Sequence, residues 1–66
     1  MKWFIIERSN PWSATYYILA GQLTDAEAER RQKTKYGKNV MLSFETEEQY
    51  NSAIWAIKKT GKKVVA

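Results

Sequence analysis

Residues 40–61, VMLSFETEEQYNSAIWAIKKTG, contain a strand signal followed directly by a helix signal with a marked start and end. The strand segment Val40–Phe44 is apolar and alternates so that one face is hydrophobic. Thr46 precedes Gln49 by three residues, which fits a capping box at the start of a helix, and Thr60-Gly61 supplies the stop. The apolar stripe of this helix has the spacing i, i+3, i+4, i+7: Tyr50, Ala53, Ile54 and Ile57.

Two further strand signals lie at the start of the chain. Trp3–Ile6 and Thr15–Ala20 are rich in β-branched and aromatic residues on both faces, and Gly21 follows the second segment. The turn formers Ser9–Ser13 separate the two segments, so we expect an antiparallel hairpin. Lys62–Val65 is long enough for a short last strand.

A second helix is predicted between Thr24 and Gly37. Thr24 and Glu27 fit a capping box in which the hydroxyl accepts from the Glu27 amide and the carboxylate reaches back to the cap amide. Acidic residues precede basic ones, as the helix dipole favours. The segment has few apolar residues, so it should bury little area and be the loosest element.

The resulting order is β-β-α-β-α-β in a single domain over residues 1–66. We expect an α+β fold, a mostly antiparallel four-stranded sheet with two helices packed on one face. The other sheet face would then be partly uncovered, which predicts self-association or a partner-binding surface there, with a homo-oligomer as one outcome.

Composition argues against catalysis. The chain has 66 residues, net charge +4, no cysteine and no histidine, which removes thiolate chemistry, the commonest metal ligands and the commonest general base. The acidic residues cluster at helix starts, where stabilisation of the helix already explains them. We therefore expect no enzyme activity, no cofactor and no metal site. The longest apolar run is too short for a membrane span or a signal peptide, which predicts a cytoplasmic protein without membrane contact.

An aromatic and basic cluster lies at the end of the second helix. Trp55 falls outside the apolar stripe by the helical period, and an exposed tryptophan among lysines is typical of a contact surface. The alternative is that Trp55 packs under the N-terminal segment or the loop holding Trp12. The predicted binding residues of this cluster are Trp55, Lys58, Lys59, Lys62 and Lys63.

A second basic cluster belongs to the first helix and the residues after it: Arg30, Arg31, Lys33, Lys35 and Lys38. Its helical spacing would suit a phosphate backbone, although dipole compensation and pairing with Glu27 and Glu29 also explain it. Trp12 is a third candidate, either a lid over the core or a contact residue.

Two resemblances bear on function. Tyr36–Ile57 resembles the second half of an RNA-recognition motif, but Asn39 and Met41 occupy the positions of its stacking aromatics when Phe44 is set on the last one. The hairpin followed by Leu42–Glu48 resembles small accessory proteins encoded by bacteriophages, which share no catalytic motif. That resemblance implies binding to a host enzyme and blocking or redirecting it, without assigning roles to single residues.

We therefore expect a non-enzymatic binding protein whose partner is a host protein or nucleoprotein. Direct binding of nucleic acid through the same basic surface is the alternative. Salt dependence separates the two, because binding to phosphates weakens steeply as salt rises.

Overall fold

The computed structural model describes residues 1–9, 14–36 and 39–65; of Ser9, Lys35 and Tyr36 it describes the backbone alone. The elements follow the predicted order, with a π-helical segment, Gln32–Tyr36, continuing from the first helix. The predicted α+β class is confirmed, as are the four strands and two α-helices. Their bounds are β1 Lys2–Ser9, β2 Ala14–Leu23, α1 Asp25–Arg31, β3 Val40–Phe44, α2 Glu47–Lys59 and β4 Lys63–Val65.

The four strands form one mixed sheet in the order β3-β1-β2-β4. β1 is antiparallel to both β2 and β3, which confirms the predicted hairpin. β4 is parallel to β2. The sheet is therefore mostly antiparallel, with β3 and β4 at its two edges.

The two helices pack on opposite faces of this sheet, and the prediction of one shared face is wrong. Ala28 of α1 packs with Phe4, Ile6 and their neighbours. Tyr50 of α2 packs instead around Ile5, which points to the other face. Each helix therefore has its own hydrophobic cluster.

The chain topology explains this placement. The connection from β2 to β3 crosses β1 in one direction, and the connection from β3 to β4 crosses back in the other. β2, β3 and β4 all run in the same direction because each is antiparallel to β1 or parallel to β2. Right-handed crossovers in opposite directions cover opposite faces, as in doubly wound sheets.

The predicted uncovered sheet face is therefore also corrected. Ile5 and Ile6 point to opposite faces of β1, and both side chains are 0% exposed. The apolar character of both strand faces, which suggested an open surface, is explained by burial under one helix on each side. The prediction of self-association depended on an uncovered sheet face and is therefore no longer supported.

β2 continues beyond its predicted end, to Leu23. Its pairing with β1 is irregular between Lys2 and Phe4, and Gly21 lies within this irregularity with φ of 74°. A positive φ suits glycine, which has no Cβ to clash. At the start of the irregular stretch, the Leu19 carbonyl accepts a hydrogen bond of 3.0 Å from the Tyr50 hydroxyl. Gly21 therefore lies within β2, in the irregular stretch, and does not close the strand.

Both predicted helix starts are confirmed by their caps. The Thr24 hydroxyl accepts from the Glu27 amide at 3.1 Å, and the Thr46 hydroxyl accepts from the Gln49 amide at 3.2 Å. The Glu27 carboxylate does not complete the predicted box, because it binds Arg30 and Arg31 instead. α1 ends at Arg31, and the predicted stop at Gly37 lies outside the described residues.

Candidate functional site

The packing of α2 determines where Trp55 points. Tyr50 is buried, and Ala53, Ile54 and Ile57 pack against the same cluster, which confirms the predicted apolar stripe. Trp55 lies on the other side of the helix and is 63% exposed. The prediction that Trp55 points outward is confirmed, and core packing of its ring is excluded.

Trp55 has a cation beside it. The Lys59 ammonium lies 4.7 Å from the centroid of the Trp55 ring, within the range of a cation–π contact. Lys59 is one helical turn after Trp55, so the helix itself sets this pairing. Lys58, also exposed, follows Trp55 at i+3. A large aromatic surface is therefore presented together with positive charge.

The end of α2 adds a further lysine. The Thr60 amide caps the helix on the Ala56 carbonyl, and Gly61, with φ of 78°, turns the chain toward β4. This turn brings the Lys62 ammonium to 5.8 Å from the centroid of the Tyr16 ring. We define the Trp55 surface as the exposed side chains of this region: Trp55, Lys58, Lys59 and Lys62.

Lys63 does not join this surface. It pairs with Thr15 in the β2–β4 register, so the alternation of the strand places it on the α1 side of the sheet. Within the described part of the chain, none of the ion pairs includes a lysine from Lys58 to Lys63. The positive charge of the Trp55 surface is thus not neutralised by neighbouring carboxylates there.

Tyr16 forms a polar contact that the sequence reasoning missed. Its hydroxyl donates a 2.7 Å hydrogen bond to Glu7 Oε2, and the residue is 7% exposed. This hydrogen bond, together with burial and the negative charge of Glu7, raises the pKa of the Tyr16 phenol. Centring the predicted hairpin on Pro11 and Trp12 would have placed Glu7 opposite Tyr16, as observed.

The basic cluster of α1 lies on the opposite side of the sheet and is largely paired. Arg30 and Arg31 both bind Glu27, the latter at 3.2 Å, and Lys33 Nζ lies 3.2 Å from Glu29 Oε1. The hydrogen bonds from Arg30 and Arg31 lower the pKa of Glu27. These contacts match pairing within the helix, the alternative to phosphate binding. The predictions for Lys38, Trp12 and the Lys35 side chain fall outside the described residues.

Two acidic residues near the helix starts pair with the same lysine. Lys2 Nζ lies 3.9 Å from Asp25 Oδ1, at the start of α1, and 3.6 Å from Glu45 Oε1, just before α2. Among residues 1–9, 14–36 and 39–65, no three acidic side chains are grouped closely enough to hold a metal ion. An open groove of about 710 Å³ adjoins the start of α2, lined by Phe44, Thr46, Glu48, Gln49 and Ser52.

Comparison with known proteins adds no relative. A scan against protein-family models and searches of curated proteins and of solved structures found no match to this chain. In the described ranges, neither α-helix is long and apolar enough to cross a membrane.

Proposed function

We propose that this chain is a non-enzymatic binding protein that contacts a protein partner through the Trp55 surface and modulates that partner. The observation that carries the proposal is Trp55 itself, 63% exposed on a well-anchored helix with the Lys59 ammonium 4.7 Å from its ring. Tryptophan is among the residues most enriched where a few side chains dominate binding energy. The resemblance to bacteriophage accessory proteins supports a host protein in the cytosol as the partner.

The residue types of the Trp55 surface indicate which kind of partner surface would bind it. The Lys59 ammonium lies 4.7 Å from the ring, and the exposed Lys58 and Lys62 follow close by in the chain. The matching surface therefore has a hydrophobic pocket for the indole and carboxylates at its rim. Such a rim would replace the hydration of the lysine ammonium groups and would steer association. The anchor on α2 is rigid, because Tyr50 and Ile54 hold the helix to the sheet. The helix backbone that carries Trp55 therefore loses little conformational freedom when the surface binds.

Direct binding of nucleic acid is the second candidate, and the same ring supports it. An exposed indole beside ammonium groups can stack a base while the lysines contact phosphates. The pairing of Arg30 and Arg31 with Glu27 counts against an extended phosphate track on α1. The Trp55 surface, whose lysines form no ion pair among the described residues, is small for a long nucleic acid, so we favour the protein partner.

The test is affinity capture from a bacterial lysate, with and without nuclease, using the wild-type chain and Trp55→Ala in parallel. We expect a protein that wild type retains after nuclease treatment and that the variant loses. The purified pair is then titrated across salt. Binding centred on Trp55 should weaken only modestly, whereas binding to phosphates should fall steeply.

A matched pair of lysine variants sharpens the result. Lys59→Ala removes the cation beside Trp55, and Lys33→Ala removes a lysine that is paired with Glu29 on α1. Only Lys59→Ala should weaken capture. Capture that disappears with nuclease would favour nucleic acid, and capture that survives Trp55→Ala unchanged would exclude the Trp55 surface.

A further inference from the structure

The two edges of the sheet differ in a way that bears on assembly. β4 is three residues long and begins with an exposed lysine. A short edge strand and an exposed charge both disfavour pairing with another strand. β3 is five residues long, VMLSF, and contains neither charge nor proline. Within the described ranges, no strand pairs with the outer edge of β3. Its backbone therefore presents unpaired donors and acceptors along an apolar strand.

β3 also carries the most exposed aliphatic side chain of the described strands. Val40 is 57% exposed, although it lies in the row of Leu42 and Phe44 on the α2 side. The open groove of about 710 Å³ lies at the other end of the strand, against Phe44. The edge thus has an uncovered apolar residue at one end and room beside an aromatic ring at the other.

We propose that β3 of two copies of this chain pair antiparallel about a two-fold axis through Leu42, joining the two sheets into one of eight strands. This strand is its own complement. In that register Val40 lies opposite Phe44 of the second copy, Leu42 opposite Leu42, and Met41 opposite Ser43. On the α2 side every cross-strand pair is apolar, and each Val40 is brought to the groove beside Phe44.

The size of the contact predicts a weak dimer. Five paired residues bury less than the roughly 800 Å² per partner of a standard interface, so the dimer should dissociate on dilution through the micromolar range. Both α2 helices would lie on the same face of the joined sheet. The dimer would therefore present two Trp55 surfaces together, which raises avidity for a partner with two sites. The pairing itself does not depend on the function proposed for Trp55.

Sedimentation equilibrium of the wild-type chain from micromolar to millimolar concentration tests the proposal. We expect a monomer–dimer equilibrium that Ser43→Lys and Val40→Lys each weaken by about tenfold or more, because each sets a charge against an apolar side chain. Both residues are exposed, so the fold should persist, as circular dichroism would verify. Val65→Lys makes the same change on the opposite edge and should leave the dimer intact.

A single spin label locates the contact, because the chain has no cysteine of its own. Labels on Ser43→Cys should lie close to each other, because the two residues would be diagonal neighbours roughly 7–8 Å apart. Labels on Val65→Cys should be roughly 30 Å apart, across the width of the joined sheet. A wild-type chain that stays monomeric at millimolar concentration would overturn the proposal. So would a dimer that neither Ser43→Lys nor Val40→Lys weakens, or one in which the labels on Val65→Cys lie close together.

Discussion

The two helices differ in how the charged side chains on their exposed faces are paired. α1 pairs its charges within itself, through Glu27 with Arg30 and Arg31 and through Glu29 with the lysine one turn later. α2 carries no such pair among the described residues and exposes Trp55 beside lysines. A helix whose charges are already paired gains little free energy by binding a partner. Unpaired lysines beside an exposed ring can gain much more.

The same helices differ beneath their outer faces. α1 buries only Ala28, while α2 buries Tyr50, whose ring lies 6.5 Å from that of Trp3 and 6.3 Å from that of Phe44. The Tyr50 hydroxyl also donates to the Leu19 carbonyl across the cluster. The contact surface is therefore carried by the more firmly anchored helix. Rigid support of this kind is what a binding surface needs.

The largest expected effect is on the anchor of α2. Tyr50→Ala removes the ring contacts and should cost about 3–5 kcal/mol of unfolding free energy, much of the stability of a domain this small. Ala28→Gly in α1 should cost only about 1 kcal/mol, chiefly from helix propensity. Urea unfolding of the two variants measures the difference. Equal costs would mean that the two helices are anchored alike.

Tyr50→Phe separates the ring from its hydroxyl. The ring stays, but the buried Leu19 carbonyl loses its donor, so we expect a cost of about 1–2 kcal/mol. A cost as large as that of Tyr50→Ala would show that the ring contacts with Trp3 and Phe44 contribute little.

The second effect is on binding. Trp55→Ala should change stability by less than about 0.5 kcal/mol, because the ring is exposed. Affinity for the partner should fall by about 2 kcal/mol, or roughly thirtyfold. Ile54→Ala, one residue earlier but facing the core, should instead lower the melting temperature clearly. Thermal melts decide this before any partner is known: loss of the folding transition in Trp55→Ala would assign that ring a structural role.

The strands, the caps and the outward direction of Trp55 could be predicted because each depends on local sequence. Alternation marks Val40–Phe44, hydroxyls mark the caps at Thr24 and Thr46, and the helical period directs Trp55. The placement of α1 could not be predicted this way, because it depends on strand order, which is set by pairing between distant segments. Once β3 and β4 lie at opposite edges, the reversed crossovers put the helices on opposite faces.

The third effect is the response of the α2 side to alkali. The hydrogen bond to Glu7, with burial and the Glu7 charge, raises the pKa of Tyr16, and burial with the Glu47 charge raises the pKa of Tyr50. A raised phenol pKa stabilises the fold below the ordinary value of 10.0, and this contribution is lost as pH rises through the folded value. Tyr16→Phe should cost about 1 kcal/mol at neutral pH.

Urea unfolding of wild type and Tyr16→Phe across alkaline pH measures this contribution, since Tyr50 and the lysines are common to both chains. The difference in unfolding free energy between wild type and Tyr16→Phe should become smaller as pH rises. A difference that stays constant through the titration of the phenol would mean that its ionisation is not coupled to folding through Glu7.

The smallest effect is the response of α1 to acid. Hydrogen bonds from Arg30 and Arg31 lower the pKa of Glu27, so its contribution to the helix is present above the ordinary value and is lost as pH falls through the lowered one. Glu27→Gln removes the charge at any pH, and the side-chain signals of Arg30 and Arg31 should then lose the shift that follows protonation of Glu27. Glu29→Gln, which affects only the pair with Lys33, is the matched control and should leave the Arg30 and Arg31 signals titrating as in wild type. The acid titration of the α2 signals should be the same in both variants as in wild type, because no lysine of α2 is paired with either carboxylate. A change in the α2 signals that parallels the change in α1 would show that the two helices are coupled through the sheet.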